Sequence, residues 1–144
     1  METIPAVILV IENHPMMRAT LCAAIAGEPG LTIFAIAANI ADVLKMVDLQ
    51  PPDLILFSVG NPGWEEISTL QSLHKALPAT SILALISNEV QGQEQDVLKA
   101  GAEVVLTKSA PRKDLLNVLR EMQTNIMKKR SSAGYERGTL ASLL

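Results

Sequence analysis

The stretch Pro52 to Gly63, Pro-Asp-Leu-Ile-Leu-Phe-Ser-Val-Gly-Asn-Pro-Gly, limits what this chain can become more than any other. Leu54, Ile55, Leu56 and Phe57 form a continuous apolar run too short for a helix of normal length. Turn formers close it on both sides, Pro52 before it and Gly60-Asn61-Pro62-Gly63 after it. A strand that is apolar on both faces belongs in the middle of a parallel sheet covered by helices on both sides. Ser58 stands where that strand runs out into its loop. In open α/β sheets ligands and chemistry collect at the carboxyl ends of the strands, so function should be legible around Ser58.

Further strands are predicted at Ala6–Ile11, Leu31–Ala37, Ser81–Ile86 and Glu103–Thr107, and a helical pattern follows each of the five. After the first strand, Asn13 or His14 is placed to cap a helix and Pro15 suits its first turn. Met17, Leu21, Ala24 and Ile25 then recur at helical spacing until Gly27 and Pro29. Asn39 is placed to cap a second helix with Ile40, Val43, Leu44 and Val47 on one face. Trp64 to Leu77 reads as a third, with Ile67, Leu70, Leu73 and Leu77 inward and Pro78 as its stop. The fourth, around Val90 to Ala100, has the poorest pattern, since Gly92 lies inside it and five of six positions from Gln91 to Asp96 are polar or charged. Gly101 suits its left-handed cap.

Leu115, Leu119, Met122 and Ile126 stripe the last helix. From about Lys128 the pattern dissolves into Ser131-Ser132-Ala133-Gly134. A domain is therefore expected over residues 1–126, with 127–144 a flexible basic tail or linker. Strands alternating with helices five times, with short connections, predict a parallel sheet wound on both faces by right-handed crossovers.

Composition narrows the class. With 49% hydrophobic but only 3% aromatic residues, the core must be aliphatic. No apolar run approaches the ~20 residues that span a bilayer, and Glu12 interrupts the first run with no basic stretch before it. Neither a membrane span nor a signal peptide is expected. The lone Cys22 reads as a small apolar helix residue and fits a reducing cytoplasm. Net charge is −3, divided as −7 over residues 1–111 and +4 over 112–144. The basic end, with Arg112, Lys113, Arg120, Lys128, Lys129, Arg130 and Arg137, reads as a solvated helix face in preference to a nucleic-acid surface.

Three strand ends carry polar residues toward one edge: Glu12-Asn13, Ser58 and Lys108. Together with Ile8-Leu9-Val10-Ile11-Glu12-Asn13-His14-Pro15, Lys99-Ala100-Gly101-Ala102 and Leu106-Thr107-Lys108, they make the chain resemble a response regulator receiver domain of two-component systems, from about Ala6 to Met122. His14-Pro15 and Lys108-Ser109-Ala110-Pro111 are most similar to receivers that precede helix-turn-helix output domains. The resemblance implies a flavodoxin-like three-layer α/β/α fold with a five-stranded parallel sheet of order 2-1-3-4-5. The family pattern is an acidic pair after strand one, a phosphoacceptor aspartate ending strand three, a Thr or Ser ending strand four and a lysine ending strand five. Those positions fall on Glu12 and Asn13, Ser58, Ile86 and Lys108, and the aromatic often found in strand five falls on Val105. Only Lys108 and half the acidic pair survive, so the site is expected to be degenerate.

A phosphoacceptor must be an ionised carboxylate, and a serine hydroxyl without a base is a poor substitute. Magnesium takes oxygen ligands with one or two carboxylates among them. Glu12 is the one residual candidate, so magnesium is expected to bind weakly or not at all, with no other cofactor. Lys108 is expected to serve as a charge partner of Glu12. His14 and His74 share no metal spacing.

The function implied is a pseudo-receiver acting through protein contacts in a phosphorelay, without enzymatic activity. Its partner would be a histidine kinase or an output protein. The partner face is that of the fourth helix, fifth strand and fifth helix, with Val105, Arg112 and Lys113, and a homodimer is the other use of that face. One alternative is a response regulator phosphorylated in an atypical way. Another, of a different class, is a small α/β serine hydrolase using Ser58. It would need His14 or Lys108 as base, and its nucleophile elbow requires a glycine where this chain has Leu56. A Gly-rich phosphate loop after the first strand is missing.

Overall fold

The computed structural model describes the backbone of residues 5–38, 40–47, 51–58, 64–87 and 93–143, and their side chains except those of 34, 40, 47, 64 and 131–143. The elements alternate as β1 (Ala6–Ile11), α1 (Pro15–Ala26), β2 (Leu31–Ala37), α2 (Ile40–Val47) and β3 (Leu54–Ser58). They continue as α3 (Trp64–Ala76), β4 (Ser81–Ile86), α4 (Glu94–Ala100), β5 (Val104–Thr107) and α5 (Arg112–Leu143). The strands form one sheet of order β2-β1-β3-β4-β5, with each neighbouring pair parallel. This is the flavodoxin-like three-layer arrangement that the sequence predicts.

Side chains along a strand point alternately to the two faces of a sheet, and here that period sorts the core into two halves. Ile8, Val10, Leu54, Leu56, Leu83 and Leu85 pack with Leu21 and Ile25 of α1 and with Leu115, Leu119, Met122 and Ile126 of α5. Leu9, Ile11, Ile55, Phe57, Ile82 and Ile86 pack on the other face with Val43 of α2, Leu70 and Leu73 of α3 and Val97 of α4. Each fully buried Leu, Ile or Val contributes roughly 1.5–3 kcal/mol of transfer free energy. Half-buried Cys22 packs beside the first cluster, where burial pushes its thiol pKa up and the Arg18 guanidinium partly offsets the rise.

Two elements differ from expectation, and the start of a third lies outside the described residues. Leu44 is 50% exposed, and Met46 packs on the core beside Val43 instead, because Leu44 lies a third of a turn away from the inward stripe. The expected start of the fourth helix at Val90 lies outside the described residues. Its described part runs from Glu94, with Gln93 at the N-cap and Gly101 at the C-cap with φ 131. The Cβ of His74 stands 2.5 Å from where a side chain on Gly101 would begin, so glycine is demanded there twice over. The largest difference is in α5, which does not end near Lys128 but stays helical through Leu143. The 126/127 division therefore falls inside a helix. Residues 127–143 contain no proline, and an interior glycine such as Gly134 costs only about 1 kcal/mol against alanine.

Arg130 anchors this continuation to the amino edge of the sheet. Its guanidinium donates to Asp53 Oδ2 and, at 3.2 Å, to the carbonyl of Pro5. Asp53 Oδ2 also accepts from the Val7 amide at 2.8 Å, while the Asp53 amide donates to Val7 O and its carbonyl accepts from Ser81 N. One residue thereby ties β1, β3, β4 and α5 together. No helix among the described residues is long and apolar enough to cross a membrane.

Asp53→Ala removes an acceptor from a part-buried amide as well as a charge pair, so it should destabilise by about 1–3 kcal/mol in urea unfolding. Arg130→Ala should cost about 1 kcal/mol or less, and the double variant should match Asp53→Ala alone. Additive losses would show that the pair does not couple.

Candidate functional site

The carboxyl edge of the sheet collects the predicted residues. Ile11 pairs with Phe57, so Glu12 and Ser58 follow side by side on adjacent strand ends. Ser58 pairs with Leu85, and Ile86 pairs with Thr107, which brings Lys108 to the same edge. The Lys108 amide donates to the Ile86 carbonyl at 2.7 Å and the Glu12 amide to Ala37 O at 3.0 Å, so both residues leave their strands in fixed directions.

Glu12 is 2% exposed. Its Oε1 accepts from the His14 amide at 3.1 Å, and its main-chain carbonyl accepts from Arg18 at 3.3 Å. Its Oε2 has no hydrogen-bond partner among the described residues. Lys108 Nζ stands 3.9 Å from that oxygen, close enough to neutralise charge and too far to donate. Lys108 is thus the charge partner of Glu12 that the sequence suggests.

Ser58 Oγ is buried and without a hydrogen-bond partner among the described residues. Ile86, 1% exposed, is packed into the α2–α4 core and presents no donor. Asn13 and His14 are exposed on the rim. His14 caps α1, its Nδ1 accepting from the Met17 amide at 3.4 Å. Both side chains that could act as a base are therefore committed elsewhere, His14 to the cap and Lys108 to Glu12. Half-buried Val105 packs against the α2–α4 core, and Arg112 and Lys113 are exposed in the first turn of α5.

A cleft of about 680 Å³ opens beside Glu12, walled by His14, Met16 and Met17 from the start of α1, Glu66 from α3 and Lys108. Met16 and Glu66 are site-lining residues that sequence reasoning misses. Met17 is read there only as a core position, and neither Met16 nor Glu66 belongs to a motif. The loop 59–63 between Ser58 and α3 lies outside the described residues, as does the Trp64 side chain.

The response regulator receiver domain model matches residues 8–120, which is most of the chain. The chain belongs to the response regulator receiver family. Among curated relatives, this receiver is 34% identical over 121 residues to the nitrate/nitrite response regulator protein NarL of Escherichia coli K12, covering 81% of this chain and 54% of that protein. It is 24% identical over 115 residues to the response regulator GacA of Pseudomonas aeruginosa, covering 80% and 54%. The chain spans about half the length of these relatives. Among solved structures, a LuxR-family two-component response regulator from Aurantimonas superposes with a TM-score of 0.74 at 21% identity, covering 84% of this chain and 86% of that one. A CheY-like receiver domain protein from Methanospirillum hungatei gives 0.74 at 22%, covering 87% and 98%. Their likeness shows the fold.

In this receiver, Lys108→Met should leave a buried carboxylate without its cation and cost about 1–3 kcal/mol. Glu12→Gln, which keeps the acceptor for His14 N, should cost less than about 1 kcal/mol. The double variant should recover most of the Lys108→Met loss in a urea double-mutant cycle. If the losses simply add, the ion pair contributes nothing.

Proposed function

We propose that this receiver domain is degenerate at its phosphorylation site and signals through protein contacts that need no phosphate. The observation that carries the reading is Ser58. It holds the carboxyl end of the central strand β3, on the strand end next to that of Glu12, where the family's phosphoacceptor aspartate is expected. A hydroxyl with no base against it does not take a phosphoryl group from a small donor, since it carries neither the charge nor the nucleophilicity of a carboxylate. The same geometry argues against a serine hydrolase.

Magnesium fits these residues poorly. The acidic corner offers one buried carboxylate, already faced by the Lys108 ammonium, beside a neutral Asn13 and a neutral Ser58. No group of three or more His, Cys, Asp or Glu that could hold a metal occurs among the described residues. A hard divalent ion surrenders its water only to a richer set of oxygens than this. Ile86 supplies no hydrogen bond through which a phosphate could be reported to the α4 side. The α4–β5–α5 face, with Val105, Arg112 and Lys113, is then held in one arrangement and engages a protein partner or a second copy constitutively. A histidine kinase or an output protein is the partner class. Residues 127–144 serve as a connector, and nothing in the reading asks this domain for catalysis.

Acetyl phosphate with magnesium should leave the mass of the protein unchanged. Ser58→Asp or Asn13→Asp alone should accept phosphate poorly, and the two together should bind magnesium and become phosphorylated. Even then the amide spectrum of α4 should stay still until Ile86→Thr is added. Stoichiometric phosphorylation of the unaltered protein at Ser58 would end this reading in favour of atypical phosphorylation.

The homodimer version has its own check. Sedimentation should show a dimer at high concentration that Arg112→Glu with Lys113→Glu weakens. A strict monomer, unchanged at low salt, removes it.

A further inference from the structure

We propose that the groove across the amino ends of β4 and β5, at the opposite edge of the sheet from Ser58, binds a small phosphorylated molecule, a phosphomonoester on a short apolar body. The groove has a volume of about 360 Å³ and takes its walls from three directions. His74 and Pro78 come from the end of α3 and the turn after it, Leu98 and Lys99 from α4, and Lys129 from α5. Between them lie Ser81, the first residue of β4, and Glu103, just before β5. Two ammonium groups and an imidazole thus share the groove with one carboxylate, a balance that selects an anion.

Ser81 is the decisive residue. It is only 7% exposed yet lines the groove, and its hydroxyl has no hydrogen-bond partner among the described residues. Its oxygen still reaches solvent, unlike Ser58 Oγ, which is fully buried. Thr80 beside it is committed, its Oγ1 donating to Pro52 O at 2.8 Å. The amides of Ser81, Gly101 and Glu103 are committed as well, to the carbonyls of Asp53, Leu98 and Ile82, so side chains must hold the ligand. Those of Lys99, Glu103 and Lys129 make no hydrogen bond or ion pair among the described residues. Helix dipoles account for His74 and Lys99, in the last turns of α3 and α4. They do not account for Lys129, which stands in the middle of α5. Phosphate oxygens accept short charge-assisted bonds from a hydroxyl and from ammonium groups alike. Leu98, 37% exposed, offers an apolar side with Pro78 and Ala79. The volume lies within the roughly 300–1,000 Å³ of small-molecule sites.

Phenyl phosphate is the probe, phenol its neutral counterpart and inorganic phosphate the same anion without the body. Each is titrated into the isotope-labelled full chain at constant ionic strength. Phenyl phosphate should move the Ser81, Lys99 and Gly101 amide signals saturably at millimolar concentration and leave those of Glu12 and Lys108 still. Phenol should bind at least about tenfold more weakly, and inorganic phosphate should bind more weakly than the ester. Ser81→Ala should weaken the ester about tenfold, as should Lys99→Gln with Lys129→Gln, two exposed changes that leave the core intact. Glu103→Gln should tighten it by removing the one opposing charge. Equal binding of phenol, unchanged binding in Ser81→Ala or in the double lysine variant, or silence at 10 millimolar, about ten times a millimolar Kd, overturns the proposal. Inorganic phosphate binding as tightly as the ester overturns the apolar body. Movement of the Glu12 and Lys108 signals in place of Ser81 puts the anion at the other rim and overturns the site.

Discussion

Everything in this domain depends on central strands that are buried on both faces. β1, β3 and β4 carry almost no polar side chain between Ala6 and Ile86, so they can be satisfied only by backbone pairing within the sheet and by helices above and below it. That double burial makes a parallel sheet the workable solution, because the crossovers themselves supply the covering helices. It also decides where polar chemistry can exist. Between two apolar layers there is no room for charge, so Glu12, Ser58 and Lys108 meet at one rim and Asp53 at the other.

The parts legible in the sequence are those in which a local signal agrees with this burial. β1, β2 and β4 begin and end at the residues their patterns predict, and Leu115, Leu119, Met122 and Ile126 are all buried as their spacing predicts. His14 was one of two candidates for the first cap and is the one that caps. Where local and tertiary signals part, reading by pattern fails. The register of β1 against β2 slips between Ile8 and Leu9, passing from Ile33 to Ala35. After that bulge Ala35 packs on the opposite core from Ile33, and Ile36 is left 43% exposed. Nothing in Leu-Thr-Ile-Phe-Ala-Ile-Ala announces it, since every position but Thr32 is apolar. The run to Leu143 in α5 was hidden for a related reason. Ser131-Ser132-Ala133-Gly134 looks like a linker by composition, and the contact that holds the preceding turn, Arg130 on Asp53, spans 77 residues.

At the site, position was legible and environment was not. The strand ends fall where the resemblance to receivers places them, and Lys108 faces Glu12. That Glu12 keeps one carboxylate oxygen without a donor, and that methionines wall the adjoining cleft, depends on side-chain packing that no spacing encodes. The residues at this edge share a character. With Ser58 and Asn13 neutral and Ile86 apolar, the rim holds fewer charges than an acidic phosphorylation site does and keeps its lysine as an internal counter-ion.

The attachment of α5 has a mechanical consequence. A helix of this kind advances about 1.5 Å per residue, so the stretch after Ile126 reaches roughly 25 Å beyond the last residue of its buried stripe. Because Arg130 is bonded to Asp53 and Pro5, a load on the far end is delivered to the amino ends of β1 and β3 and not to the exposed edge strand β5. Those two strands lie side by side in the sheet and are covered by helices on both faces, so the load falls on the best-buried part of the domain. β3 is also the strand that ends at Ser58. One strand thus links the point where α5 is tied down to the polar rim at the opposite end of the sheet.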